Sequence, residues 1–296
     1  MYAAGKNADL ATPLPKHQEG QPTMKHQAKR VLVTGAGSGF GREIILAFAK
    51  RGAEAICVDL NLDTAEQTAA MARELGVTAH AYQADVSSET VMTALAEQVC
   101  NEVGLPDVVV NNAGIGMAGG LLETDFASWQ KVMGVNFWSV IYGSKLFAER
   151  MVAAKQPGAI VNIASAAAFT PNRTIVAYST GKAAVRMFSD CIRADLHRHN
   201  IHVVCCCPGF SNTGIVENTS YEGMSAEEQA KAQAAAKKLY ARRNLKPEAI
   251  AHAVVNAVEK GKAEALVGAE AHGSDWLGRV SPGLKRLAAR LDLTPK

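Results

Sequence analysis

Two residues one helical turn apart, Tyr178 and Lys182 in Y-S-T-G-K, carry the clearest chemistry in this chain, and Ser165 lies thirteen residues upstream. A tyrosine hydroxyl is a poor proton carrier at neutral pH, because its ordinary pKa is near 10. An ammonium at i+4 shares its helix face. It favours the phenolate, so the hydroxyl can trade a proton near pH 7. The same spacing also occurs as a plain solvated pair on helices, so its meaning comes from what surrounds it.

A site of this kind needs a rigid scaffold, and from residue 30 the pattern is regular. Apolar runs bounded by turns alternate with longer helical patterns. The runs fall at 30–34, 55–59, within 77–85, and at 107–111, 159–164, 201–206 and 265–268. Helical patterns fill about 41–51, 63–75 and the stretch to Val103; a long helical region after the fourth run is broken near Gly134. Short strands buried on both faces and alternating with helices predict a parallel sheet covered on both sides. Right-handed crossovers make it doubly wound. The expected fold is α/β: a single Rossmann-type parallel sheet of about seven strands flanked by helices. Residues 1–28, with Pro13, Pro15 and Pro22, read as a disordered leader in which Met24 is an alternative start; 29–268 is the main domain, with a long segment at about 211–245 that is polar at first and then Ala/Lys-rich; 269–296 is a helical tail.

The first run ends in T-G-A-G-S-G-F-G, residues 34–41, and opens straight into a helix. Glycines allow a tight turn and a close approach to a pyrophosphate, and the helix N-terminus offers free N–H groups. The spacing is T-G-x-x-x-G-x-G through Gly35, Gly39 and Gly41; the stricter G-x-G-x-x-G would need glycine where Phe40 stands. Gly35, Ser38, Gly39, Phe40 and Gly41 are therefore expected against a dinucleotide. Asp59 ends the second run, where a carboxylate accepts hydrogen bonds from the adenosine ribose and repels a 2′-phosphate; D-L-N-L-D also suits a turn. With no basic residue at Ser38 or just after Asp59, the reading favours NAD over NADP, and Arg42 is the nearby cation that would soften it.

The 296 residues are 48% hydrophobic and 20% charged, with a net charge of +3, an ordinary globular balance too weakly basic to point to nucleic acid. No apolar run reaches about 18 residues, so no spanning helix is expected. Six cysteines include Cys205, Cys206 and Cys207 in an apolar run. Neighbours on a strand point to opposite faces, so the three cannot converge on a metal. They read as small buried side chains in a reduced, cytoplasmic compartment. Eight histidines show no metal-ligand spacing, and no metal site is expected.

These motifs together resemble the short-chain dehydrogenase/reductase family over roughly residues 29–268, which implies that 29–268 is a catalytic domain and that the segment at about 211–245, otherwise a surface helical excursion, is a helical substrate lid. The glycine turn resembles its cofactor motif, and Asp85-Val86 its D-V pair beside the adenine. Asn111-Asn112-Ala113-Gly114 matches its N-N-A-G turn, and Pro208-Gly209 with Thr213 its segment beside the nicotinamide. Asn136, Ser165, Tyr178 and Lys182 match its catalytic tetrad. The resemblance implies that Tyr178 exchanges the substrate proton, and that Ser165 binds the substrate oxygen. Lys182 lowers the Tyr178 pKa and holds the nicotinamide ribose, and Asn136 anchors a water that relays protons. Asn111 and Asn112 either shape the turn or touch cofactor. A-S-A-A-A-F at 164–169 departs from the commoner S-S with a downstream glycine, which alters pocket lining more than chemistry.

The residues expected to face a substrate, Met117, Ala167, Phe169 and Phe210, are apolar, which implies a hydrophobic secondary alcohol or its ketone. Two other classes stay open: an NADPH-dependent 3-oxoacyl-type ketoreductase, against which Asp59 and Ser38 argue, and a non-enzymatic dinucleotide sensor, which would not need Tyr178. A homodimer or homotetramer is expected. The tail W-L-G-R-V-S-P-G-L-K-R-L mixes apolar and basic residues at helical spacing; packing on a subunit or on its own domain is favoured over a membrane surface.

Overall fold

A computed structural model describes residues 28–209, 219–243 and 245–288, with the backbone alone at 239–243, 285 and 288. The elements run β1 (Arg30–Thr34), α1 (Gly39–Ala49), β2 (Glu54–Asp59), α2 (Leu62–Glu74), β3 (Ala79–Gln83), α3 (Glu89–Glu102), β4 (Val108–Asn111) and β5 (Met117–Ala118). They continue with α4 (Phe126–Met133), α5 (Ser139–Ala153), β6 (Gly158–Ile163), α6 (Val176–Leu196), β7 (Ile201–Pro208), β8 (Ser220–Tyr221), α7 (Ala226–Arg243), α8 (Pro247–Glu259), β9 (Glu264–Val267), α9 (Ala269–Val280) and α10 (Pro282–Ala288).

Seven strands form one parallel sheet in the order β3-β2-β1-β4-β6-β7-β9. Alternate residues of each strand bury opposite faces. Val31 and Val33 pack with Ile44, Ile45 and Val254 from α1 and α8. Leu32 faces the other way, with Met92 of α3 and Phe147 of α5. The chain order reverses between β1 and β4, so the loops leaving these neighbours diverge and open a crevice at their carboxyl ends. All seven expected strands are present. Three helix starts are fixed by side-chain caps: Asn61 accepts from Asp63 and Thr64 backbone N–H, Ser88 from Val91, and Asp125 from Ser128.

The expected break near Gly134 is a π-helical turn, Gly134–Trp138, that joins α4 to α5 without interrupting the helix. A pairing the sequence did not reveal is a second, two-stranded parallel sheet, in which β5 meets β8. Gly119 bridges to Ile175 just before α6. The leader expected at 1–28 falls, except for Ala28, outside the described residues. So do 211–218 and 244 of the expected lid; α7 supplies its helical character. No helix among the described residues is long and apolar enough to cross a membrane.

Candidate active site

The crevice is built first by glycine. Gly35 and Gly39 take positive φ, at 64° and 52°, a region that favours glycine. A Cβ on Gly35 would lie 2.9 Å from the Ala113 Cα, and one on Gly41 would collide with the Gly35 carbonyl oxygen. α1 starts with no side-chain cap at Ser38 and no acidic residue in its first turn. Its leading N–H groups and positive dipole end are thus left for an anion. These are the features a pyrophosphate-binding turn requires, and they fit a dinucleotide.

Asp59 stands beside this turn. Its carboxylate accepts from the Gly37 N–H at 2.8 Å and from the Asn61 N–H at 3.1 Å. Arg42 points back into the protein, donating to the Gly37 carbonyl and to Thr68 Oγ1, which occupies the cation that would soften Asp59. Asn112 donates from its amide to the Thr34 and Gly35 carbonyls at 2.9 and 3.1 Å, tying the end of β4 to the glycine turn. Ala113 N–H donates to Thr34 Oγ1. These bonds favour the turn-shaping role for Asn112. Asp85 accepts from the Ser87 N–H and hydroxyl and is exposed, whereas Val86 is buried in the core.

The four tetrad residues come from three places in the chain. Ser165 follows β6 in extended backbone, and its Oγ accepts from the Ala167 N–H at 3.1 Å. Tyr178 and Lys182 occupy the first two turns of α6. Lys182 is buried, and its Nζ donates to the Ile163 carbonyl at 2.9 Å, 5.9 Å from the Tyr178 ring centroid. Asn136 lies in the π-helical turn, fully buried. Its Oδ1 accepts from the Ile115 N–H at 2.8 Å and its Nδ2 donates to the Ile115 carbonyl at 2.9 Å. A Cβ on Gly114 would lie 3.1 Å from Asn136 Oδ1 and 3.4 Å from Lys182 Nζ. Gly114 thus lets the segment after β4 approach both side chains.

The electrostatics are dominated by burial. It lowers the Lys182 pKa to about 8, with Cys205 and Cys207 acting in the opposite direction. It raises the Tyr178 phenol, and a hydrogen bond with Ser165 counters it. With a pKa of about 8, Lys182 keeps its charge at neutral pH, and the influence that opposes burial at Tyr178 is the hydrogen bond with Ser165.

Among the residues expected to face a substrate, Met117 is buried between Val132 and Ala177. Phe169 is buried against Val140, Val185 and Cys207, with the Arg186 guanidinium 4.8 Å over its ring. Ala167 keeps partial exposure. Pro208 closes β7 and Gly209 donates to the Val267 carbonyl; Phe210 and Thr213 lie outside the described residues. Cys205 and Cys207 share one strand face, with Sγ atoms 3.8 Å apart, and Cys206 packs on the other. No group of histidine, cysteine or carboxylate among the described residues is arranged to hold a metal.

Residues 29–223 match the family described as short chain dehydrogenase. "Probable oxidoreductase EphD" of Mycobacterium tuberculosis (strain ATCC 25618 / H37Rv) is 40% identical over 291 residues, 98% of this chain. The chain spans 49% of that relative's length. "17-beta-hydroxysteroid dehydrogenase 13" of Homo sapiens is 36% identical over 193 residues, 64% of each protein. Among solved structures, a short chain dehydrogenase/reductase from Burkholderia phymatum in complex with NAD has a TM-score of 0.81 at 24% identity, covering 92% of this chain and 100% of its own. A metagenomic short-chain oxidoreductase in complex with NADP has a TM-score of 0.66 at 24% identity, covering 81% and 96%. With the glycine turn, the N-N-A-G brace and the Tyr178–Lys182 pair set in a seven-stranded parallel sheet, the chain belongs to the short-chain dehydrogenase family.

Proposed function

We propose that the chain is a nicotinamide-dependent oxidoreductase that interconverts a hydrophobic secondary alcohol and its ketone, with NAD preferred over NADP. The observation that carries this reading is the convergence of Ser165 with Tyr178 and of Lys182 with Gly114, in a fold whose glycine turn suits a pyrophosphate. A protein that only sensed a dinucleotide would need the glycine turn and Asp59 but not this cluster.

Gly35, Ser38, Gly39, Phe40 and Gly41 hold the pyrophosphate, and Asp59 the adenosine ribose. Asp85, Val86, Asn112, Ala113 and Gly114 shape the adenine and central part of the site, while Pro208, Gly209 and Thr213 belong to the nicotinamide end. The bound nicotinamide supplies or accepts the hydride. The chain's own residues handle the proton and the charge. Tyr178 takes the hydroxyl proton in oxidation and returns it in reduction. Ser165 donates to the substrate oxygen and stabilises the charge that develops there. Lys182 holds the ribose and passes the proton on. Asn136 keeps Ile115 and Gly114 against Lys182 on the side of the relay to solvent.

NAD preference rests on Asp59 at the lip of the turn and on the engagement of Arg42 elsewhere. A hydrophobic substrate rests on apolar neighbours such as Ile115, Ala166 and Ala167, and on the hydroxysteroid dehydrogenase named above. The segment 211–245 acts as the lid, and β8 docks it on β5. A homodimer or homotetramer is supported by exposed apolar side chains such as Phe126 and Trp138. A cytoplasmic location is supported by its unpaired cysteines. A panel of alcohols and ketones, assayed by cofactor absorbance with NAD and NADP in parallel, tests the reading. It predicts turnover with bulky secondary alcohols and NAD; the absence of turnover with every carbonyl or alcohol tried, alongside tight NAD binding, would favour the sensor.

A further inference from the structure

Beneath the site, a row of polar side chains crosses an otherwise apolar interior. Asn111, Asn162 and Cys205 stand in register on adjacent strands β4, β6 and β7. Asn111 Nδ2 donates to Asn162 Oδ1 at 2.9 Å and to Ser144 Oγ at 3.1 Å; Ser144 of α5 donates to Asn162 Oδ1 at 3.3 Å. Asn162 Nδ2 donates to Ser189 Oγ of α6 at 3.0 Å, and Ser189 donates to the Val185 carbonyl at 2.7 Å. Asn162 and Ser189 are fully buried. Leaving either without its partner costs more than replacing the pair by apolar groups, so the bond specifies one relative placement of β6 and α6.

Those two elements carry the site. Ile163, one residue past Asn162, accepts from Lys182, and Ser165 is two residues further. Along α6, Lys182 is seven residues and Tyr178 eleven residues before Ser189, close to two and three whole turns. All three therefore lie on one helix face, about 10 Å separating Ser189 from Lys182 along the axis. A shift of α6 along β6 would change both the Lys182–Ile163 bond and the approach of Ser165 to Tyr178.

We propose that Asn162 and Ser189 are positioning residues for the reaction: their buried hydrogen bond sets the place of α6 on β6, and so aligns Tyr178 and Lys182 with Ser165. This inference rests on the functional reading above. Ser144 provides an internal comparison, because it bonds the same Asn162 from α5, which carries none of the three aligned groups.

The test compares Ser189→Ala, Ser189→Thr, Ser144→Ala and Tyr178→Phe in the full chain, by pH-dependent alcohol oxidation, NAD affinity and thermal unfolding. The titratable groups that act on Lys182 among the described residues are the Cys205 and Cys207 thiols of β7. The Cys205 pKa is lowered by its hydrogen bond with Cys207 and also by one with Ser189, so Cys205→Ala, which removes that route and keeps the Asn162–Ser189 bond, is the control and should leave the limb in place. Ser189→Ala is expected to lower kcat about tenfold or more, since small misplacements are costly. It should also move the pH limb of kcat/KM upward, because the phenol loses part of the hydrogen bond that opposes its burial. NAD affinity should fall by clearly less than kcat, because Lys182 also holds the ribose while most of the loss lies in the chemical step. Ser189→Thr, which keeps the hydroxyl, should restore the limb. Ser144→Ala should lower the unfolding temperature with the limb in place. Should Ser189→Ala not fold, Ser189→Cys, a weaker acceptor, should move the limb the same way by less. An unmoved limb in Ser189→Ala, or an equal movement in Ser144→Ala, would overturn the proposal. Activity surviving in Tyr178→Phe would instead overturn the functional reading beneath it.

Discussion

The Asp59 carboxylate accepts a hydrogen bond from the Gly37 backbone N–H at 2.8 Å, so the end of β2 and the glycine turn are fixed to each other. This bond places the carboxylate expected to hold the adenosine ribose beside the turn expected to hold the pyrophosphate, with the Arg42 guanidinium turned away to Gly37 and Thr68.

Asp59→Ala should therefore raise KM for NAD and lower KM for NADP, changing the preference by about tenfold or more, the scale of one charged contact. Steady-state constants for both cofactors on both proteins measure it. A wild-type enzyme that already prefers NADP would show that another cation outweighs Asp59.

Gly41→Ala should weaken dinucleotide binding by about tenfold or more. The new Cβ meets a backbone oxygen, at Gly35, rather than the end of a movable side chain, so the turn itself must distort. Fluorescence titration with NAD gives the affinity, and unfolding in urea separates that effect from lost stability.

Burial holds Lys182 at about 8 against an ordinary 10.5. The native state therefore releases this proton at lower pH than the unfolded chain does. Between about pH 8 and 10.5 the unfolded state binds more protons, so this group's destabilising effect is full below pH 8 and fades as pH rises to 10.5. Relative to Lys182→Met, wild type should gain stability across that window, by at most about 1.4 kcal/mol per pH unit. Urea unfolding of both proteins at pH 7, 8, 9 and 10 measures it; a constant difference would mean that Lys182 titrates as an ordinary lysine.

Bulky cyclic or long-chain secondary alcohols should be oxidised faster than short ones, because apolar area gains about 25 cal/mol per Å² when buried. A small hydroxy acid would have its charge desolvated without a partner. Initial rates across such a series decide it, and equal or better rates with the small acid would sink the idea. Proteolysis within 211–245 should slow when cofactor and product are bound.

Much of this arrangement was legible in the sequence, for identifiable reasons. Strands buried on both faces must be short apolar runs, and the seven runs became the seven strands. The glycine turn and the Tyr178–Lys182 spacing are local, so the turn's place at the start of α1 and the shared helix face of the pair followed directly. What was not legible depends on distant partners. The break expected at Gly134 became a π-helical turn; within it the Asn136 amide grips the Ile115 backbone, a contact across twenty-one residues. Met117 and Phe169 are apolar residues expected to line a pocket; Met117 lies in β5, buried with Val132 and Ala177, and Phe169 packs under Arg186. Asn162, a polar residue inside an apolar run, drew no expectation from the sequence; only the fold shows that its partners are Asn111, Ser144 and Ser189.

The central claim is that the Tyr178 hydroxyl carries the proton. Tyr178→Phe removes one oxygen and keeps the ring, so kinetics of alcohol oxidation together with NAD affinity test it most directly. Turnover should fall by at least about a hundredfold, the usual contribution of an acid–base group, while NAD affinity stays nearly unchanged. A variant that kept more than about a tenth of wild-type turnover would contradict the claim, since an acid–base group of that weight cannot be lost so lightly.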